Sequence, residues 1–336
     1  LVLTHLNSSK NGWVPELSGV TLSYVEARKN SKSHSSGRYQ IMKRVLVTGA
    51  NKGIGRAVVE AVLDRYTDVF VYLGCRSLER GTDARNQLGA KNHEYLSRTK
   101  VVELDVTSEQ SVCEAEKGVR EECEAAGTAL YGIVNNAGVF SSPAGIAEVL
   151  EVNLFGIKRV FDHFYSILDT EDARVVNVTS ASGPNYLSSA DPLVRRVLTD
   201  SQVTWEDIQH VVQLFLQNIE NAAVVDQAQK ASSAYGFSKA CANALTVLQA
   251  RLFPSVAINA CTPGFIDTDL TRQLASMTGR DPADMDMKLP RDGVESTLFL
   301  LMAAAPTITG WYLGSDCKRS PLDTYRAPGD PEFKGN

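Results

Sequence analysis

Seven short segments of the chain, 43–48, 69–75, 100–104, 130–135, 174–179, 256–262 and 310–314, are near-continuous apolar runs without strict polar alternation. Runs of that length read as strands buried on both faces, the habit of parallel sheets. The stretches between them carry helical periods. Ile54, Ala57, Val58, Ala61 and Val62, for example, recur on one face of a helix that opens at a glycine-rich turn. The alternation of strand and helix predicts an α/β chain with a doubly wound parallel sheet and right-handed crossovers. One further helix stands out within residues 183–233. Thr204-Trp205-Glu206-Asp207 has the form of an N-terminal capping box, and Ile208, Val211, Val212, Phe215, Leu216 and Ile219 form a single apolar stripe after it.

Residues 1–41 lack either period. They hold eight serines and five Lys or Arg against two Glu, so they are expected to form a disordered extension ahead of Met42. An organelle-targeting peptide and an extension foreign to the working protein are the two readings of that segment. The expected organisation is therefore an extension over 1–41, one folded domain over 42–320 with a helical segment at 183–233, and a C-terminal tail over 321–336. The 43% hydrophobic content is enough for a sizeable core, and the longest apolar run, Leu298 to Ala305, is too short to span a membrane. A net charge of −5 argues against a nucleic-acid partner. Cys75, Cys113, Cys123, Cys241, Cys261 and Cys317 have no Cys-x-x-Cys spacing, which fits reduced thiols in a cytoplasmic compartment. His5, His34, His93, His163 and His210 show no ligand spacing, so no metal is expected.

Two motifs carry chemistry. Gly49, Gly53 and Gly55, in Thr-Gly-Ala-Asn-Lys-Gly-Ile-Gly, follow a strand and open a helix, where glycine lets a pyrophosphate approach the backbone N–H groups. Tyr235 and Lys239 lie four residues apart on what reads as the first turn of a helix, hence on one face. An ammonium beside a phenol is expected to lower the phenol pKa toward neutrality, as a general acid near pH 7 requires.

Further segments fall in a fixed order around these two: Leu104-Asp105-Val106-Thr107, Asn135-Asn136-Ala137-Gly138, Asn153 in Val-Asn-Leu-Phe-Gly, Ser180 in Val-Val-Asn-Val-Thr-Ser, and Pro263-Gly264-Phe265-Ile266-Asp267-Thr268. Together, over roughly residues 43–315, they resemble the short-chain dehydrogenase/reductase family. The resemblance implies a single Rossmann-type domain and an oxidoreductase. In that reading Tyr235 is the proton donor, Ser180 polarises the carbonyl, Lys239 tunes the tyrosine and grips the nicotinamide ribose, and Asn153 anchors a water in a proton relay. The cofactor would lie along Gly49, Asn51, Lys52, Gly53, Ile54, Gly55, Arg76, Asp105, Val106, Asn135, Ala137, Gly138, Pro263, Gly264, Ile266 and Thr268, together with Tyr235 and Lys239.

Arg76 stands where an NAD enzyme would present an acid to the ribose, and with Lys52 it points to a 2′-phosphate and so to NADPH/NADP+ rather than NAD. Ser180 and Tyr235 are 55 residues apart, whereas about a dozen is usual in the family. An insertion of that size is similar to the one in monomeric carbonyl reductases and their plant relatives. The chain is accordingly expected to be a monomer that reduces a ketone, aldehyde or quinone with NADPH. The alternative is a non-catalytic NADP(H) sensor or scaffold of the same fold.

Overall fold

The computed structural model describes residues 42–221 and 226–335; the expected disorder of 1–41 lies outside them. The chain divides at Gln40/Ile41, and the second unit, Ile41–Asn336, carries the sheet and its helices. Seven parallel strands form one sheet in the order β3-β2-β1-β4-β5-β6-β7: β1 (Lys43–Thr48), β2 (Val69–Cys75), β3 (Thr99–Glu103), β4 (Leu130–Asn135), β5 (Arg174–Val178), β6 (Ala257–Cys261) and β7 (Tyr312–Leu313). Each predicted strand is present, shifted or shortened by at most two residues at an end. The chain turns back across the sheet between β1 and β4, the switch point where ligands of such sheets bind.

Period-two alternation sorts the strands' side chains onto two cores. Val45, Val47, Val71 and Leu73 pack on one face beside α1 (Gly53–Arg65), with Val58, Val59 and Val62. Leu46, Tyr72, Ile133 and Val175 pack on the other, with Val112 and Val119 of α3 (Glu109–Ala125). Between β2 and β3 runs α2 (Leu78–Lys91). After β4 the chain forms α4 (Ile146–Leu150), a π-helical turn (Glu151–Phe155) and α5 (Gly156–Phe164) in one continuous rod.

The insertion folds as α6 (Ser182–Ser188), α7 (Pro192–Thr199) and α8 (Trp205–Asn221). The capping box forms as predicted: Asp207 N donates to Thr204 Oγ1 at 3.1 Å, and Thr204 N donates to Asp207 Oδ2 at 3.0 Å. Ile208, Val211, Val212 and Phe215 are buried against Phe237, Leu245 and Leu248 of α9 (Gln227–Leu252), with Phe215 stacked on Phe237 at 4.0 Å between ring centroids.

Two boundaries differ from expectation. Asp226 caps α9 through Gln229 N, so Tyr235 sits two turns into the helix rather than in its first turn. The segment read as a tail is knitted to the body. Buried Arg326 pairs with Asp316 and donates to Ser320 Oγ and to the Ala327 and Asp330 carbonyls, while Arg195 of α7 pairs with Asp323 at 2.8 Å. A buried guanidinium needs several acceptors, and that need folds the segment back on itself. Between β6 and β7 lie α10 (Asp269–Thr278) and α11 (Glu295–Leu298).

Candidate active site

The expected cofactor residues collect at the carboxyl ends of the strands. At the end of β1 the turn needs glycine: Gly49 and Gly53 have φ of +65° and +54°. A Cβ on Gly55 would overlap Gly49 O and Asn136 Nδ2, so the first turn of α1 can close only on a residue without a side chain. Asn136 fixes the turn from the far side, donating from Nδ2 to Thr48 O at 2.9 Å, while Thr48 Oγ1 accepts from the Asn136 and Ala137 N–H groups at 3.0 Å each. Neither Thr48 nor Asn136 was singled out from sequence, although both lie inside the quoted motifs. Lys52 occupies the N-cap of α1 without a side-chain cap, which leaves the helix N-terminus to accept an anion. That geometry, together with Asn51 and Ile54 flanking the turn, fits a dinucleotide's diphosphate.

The remaining cofactor candidates divide into exposed and buried. Arg76, after β2, is exposed and makes no ion pair or hydrogen bond among the described residues. Asp105, after β3, is half-buried and holds Thr107 N at 3.0 Å with one carboxylate oxygen. Val106 and Ile266 are buried, so their side chains shape the site from behind. Asn135 is turned into the sheet, where its Nδ2 donates to Asn177 Oδ1 at 2.8 Å, leaving its backbone rather than its amide for a ligand. Ala137 and the exposed Gly138 follow it; a Cβ on Gly138 would lie 3.3 Å from Asn153 Oδ1 and 3.5 Å from Lys239 Nζ. Pro263 and Gly264, with Gly264 at φ +91°, turn the chain after β6, and Thr268 caps α10.

Ser180 follows β5, and Tyr235 and Lys239 come to it from α9. Lys239 Nζ donates to Val178 O at 3.1 Å and lies 5.7 Å from the centre of the Tyr235 ring. Ser180 Oγ accepts from Ser182 N at 3.1 Å, and its hydroxyl lies near enough to the Tyr235 phenol to draw the phenol pKa back down. Asn153 sits in the π turn with no exposed surface. Its Oδ1 accepts from Val139 N at 2.9 Å, and its Nδ2 donates to Val139 O at 2.9 Å and to Ser238 Oγ at 3.0 Å. The amide thus ties the loop after β4 to α9 and holds Gly138 near Lys239. Phe140, Ala231, Leu270, Leu274 and Met277 close over Tyr235, with the Phe140 ring 5.4 Å away. This cover was not legible from sequence, since its members come from three distant segments.

One expectation is corrected. Burial pushes the Tyr235 phenol up to about 12, against the Ser180 hydrogen bond, and lowers Lys239 to about 8. Desolvation is the larger cause for both groups, and the Lys239 ammonium faces the ring and is anchored on the Val178 carbonyl rather than on the phenol. The phenol is therefore a protonated donor at neutral pH. The lysine shift has a consequence for stability. The folded chain loses this proton near pH 8 and the unfolded chain near the ordinary lysine value of 10.5, so the unfolded state binds more protons between them and stability rises with pH. Above pH 10 the sign reverses for Tyr235, whose unfolded phenol ionises first. Between pH 8 and 10 the buried thiols of Cys75, Cys123, Cys241 and Cys261, pushed up by burial, lower the stability of both proteins, so the Lys239 contribution is read as a difference: the parent is expected to gain about 2 kcal/mol relative to Lys239→Met in urea unfolding over that range. Parallel pH profiles for the two proteins would contradict it.

A family profile described as short chain dehydrogenase matches residues 43–190. Carbonyl reductase (NADPH) 3 of Rattus norvegicus is 31% identical over 74% of this chain and 92% of its own length. Salutaridine reductase of Papaver bracteatum is 28% identical over 75% and 92%. Among solved structures, salutaridine reductase from Papaver somniferum shares the fold at a TM-score of 0.65 and 23% identity, covering 80% of this chain and 99% of that one. The chain belongs to the short-chain dehydrogenase family and stands close to its carbonyl reductases.

Proposed function

We propose that the protein reduces the carbonyl of a ketone, aldehyde or quinone to an alcohol with NADPH. The observation that carries this reading is the convergence of Ser180, Tyr235 and Lys239, brought together from β5 and α9 beside the glycine turn. A scaffold or sensor has no use for a buried proton-donor array. The cofactor supplies the hydride; the chain does the rest. The Ser180 hydroxyl donates to the substrate oxygen as negative charge develops there, and Tyr235 delivers the proton. Lys239 and the Asn153 amide hold the tyrosine helix and the Gly138 loop in register, and the Phe140–Met277 cover excludes water from the transfer. The preference for NADPH rests on Arg76, which has no partner among the described residues, and on similarity to carbonyl reductases named for that cofactor. The six free cysteines fit a reducing compartment such as the cytoplasm, and among the described residues no helix is long and apolar enough to cross a membrane. A panel of aldehydes, ketones and quinones, followed by NADPH absorbance, tests the activity; binding of NADPH without consumption by any of them would favour the sensor.

The same reading includes a monomer. The stripe of α8 covers the apolar face of α9, the surface through which a second copy would pair helix to helix. Light scattering at micromolar concentration is expected to give a mass near 36.5 kDa, and twice that mass would contradict it.

A further inference from the structure

The ammonium of Lys52, in the glycine turn, meets Asp269 Oδ2 at 2.6 Å across 217 residues of chain. Asp269 is the first residue of α10, and the pair holds its carboxyl below the usual carboxylate range. Its neighbour Asp267 is committed elsewhere, accepting two bonds from the Arg272 guanidinium at 2.6 and 2.8 Å. The seam that Lys52 and Asp269 bridge is narrow: a Cβ on Gly53 would lie 3.5 Å from Thr268 Cγ2. One end of α10 is thereby clasped to the glycine turn, while its apolar side, Leu270, Leu274 and Met277, lies over Tyr235. Both side chains of the clasp are well exposed, at 63% and 69%, so an incoming anion can reach the lysine and exchange with the carboxylate. Among the described residues Arg76 has no competing partner; Lys52 does.

We infer that Asp269 is a specificity-determining residue that competes with the cofactor's 2′-phosphate for Lys52, lowering affinity for NADPH while leaving NADH untouched. The inference rests on the NADPH reading above. The backbone N–H groups at the α1 terminus serve the diphosphate, which both cofactors share, and the long Lys52 side chain is left for the outer phosphate that only one of them has. Each NADPH molecule that binds must displace the carboxylate, and each that leaves is helped out by its return.

Equilibrium titration of the full chain, read by cofactor fluorescence, tests this without turnover. Asp269→Asn, or Asp269→Ser should the first fail to fold, is expected to tighten NADPH by about two- to fivefold, the range of an exposed ion pair, with no change for NADH. The gain should vanish in a Lys52→Met background. An unchanged NADPH Kd, an equal gain for both cofactors, or a gain that persists without Lys52 overturns the competition. The two readings fail differently: a parent that prefers NADPH beside an Asp269→Asn protein no different from it removes only the competition, and a parent and an Asp269→Asn protein that both bind the two cofactors equally remove the NADPH reading and the inference with it.

Discussion

Tyr235→Phe is expected to lower kcat/KM for carbonyl reduction by about 10²–10⁴-fold, the usual worth of a positioned general acid. The substitution removes one hydroxyl and keeps the ring, whose packing against Phe140, Leu270 and Leu274 is what closes the site. Affinity for NADPH should therefore hold. So should stability, because the deleted hydroxyl is desolvated and its contact with Ser180 contributes little more than its burial costs. Steady-state rates measured beside cofactor titrations check both halves. Activity within tenfold of the parent would show that another group gives the proton.

The second large effect is on the choice of cofactor. Arg76→Asp replaces a cation that could pair with a 2′-phosphate by an anion that repels it and can accept from a 2′-hydroxyl. Losing the attraction and adding the repulsion together should lower the NADPH-to-NADH ratio of kcat/KM by about 100-fold. The fold should not notice, since Arg76 is exposed and bonds to nothing among the described residues. An unchanged ratio would mean that Arg76 does not read the phosphate.

The sheet was legible because each strand is buried on both faces and so spells itself as a largely apolar run; Val45 to Val47 and Val175 to Val176 serve opposite cores with no polar break. The α8 stripe was legible for a related reason, a cap and a period within one window. The start of α9 was not, because the signal that mattered was Asp226, nine residues before Tyr235, and not the tyrosine's own surroundings. Motif order named Ser180, Tyr235, Lys239 and the glycine turn as one candidate site, but it could not say which way the titrations move. That sign depends on how completely the pair is desolvated, a property of Phe140, α10 and the sheet beneath, none of them local in sequence. The Lys52–Asp269 clasp and the Arg326 knot were illegible for the same cause. Both join residues that only the folded chain brings together.

Isotope transfer is the most direct measure of the central claim. NADPH carrying deuterium at both C4 positions of the nicotinamide, incubated with the protein and a ketone that it consumes, should yield an alcohol with one deuterium on the former carbonyl carbon, mole for mole with NADP+ formed. Consumption of NADPH that leaves the product unlabelled, or no consumption across the carbonyl panel by a protein that binds NADPH, would contradict a reductase built on Ser180, Tyr235 and Lys239.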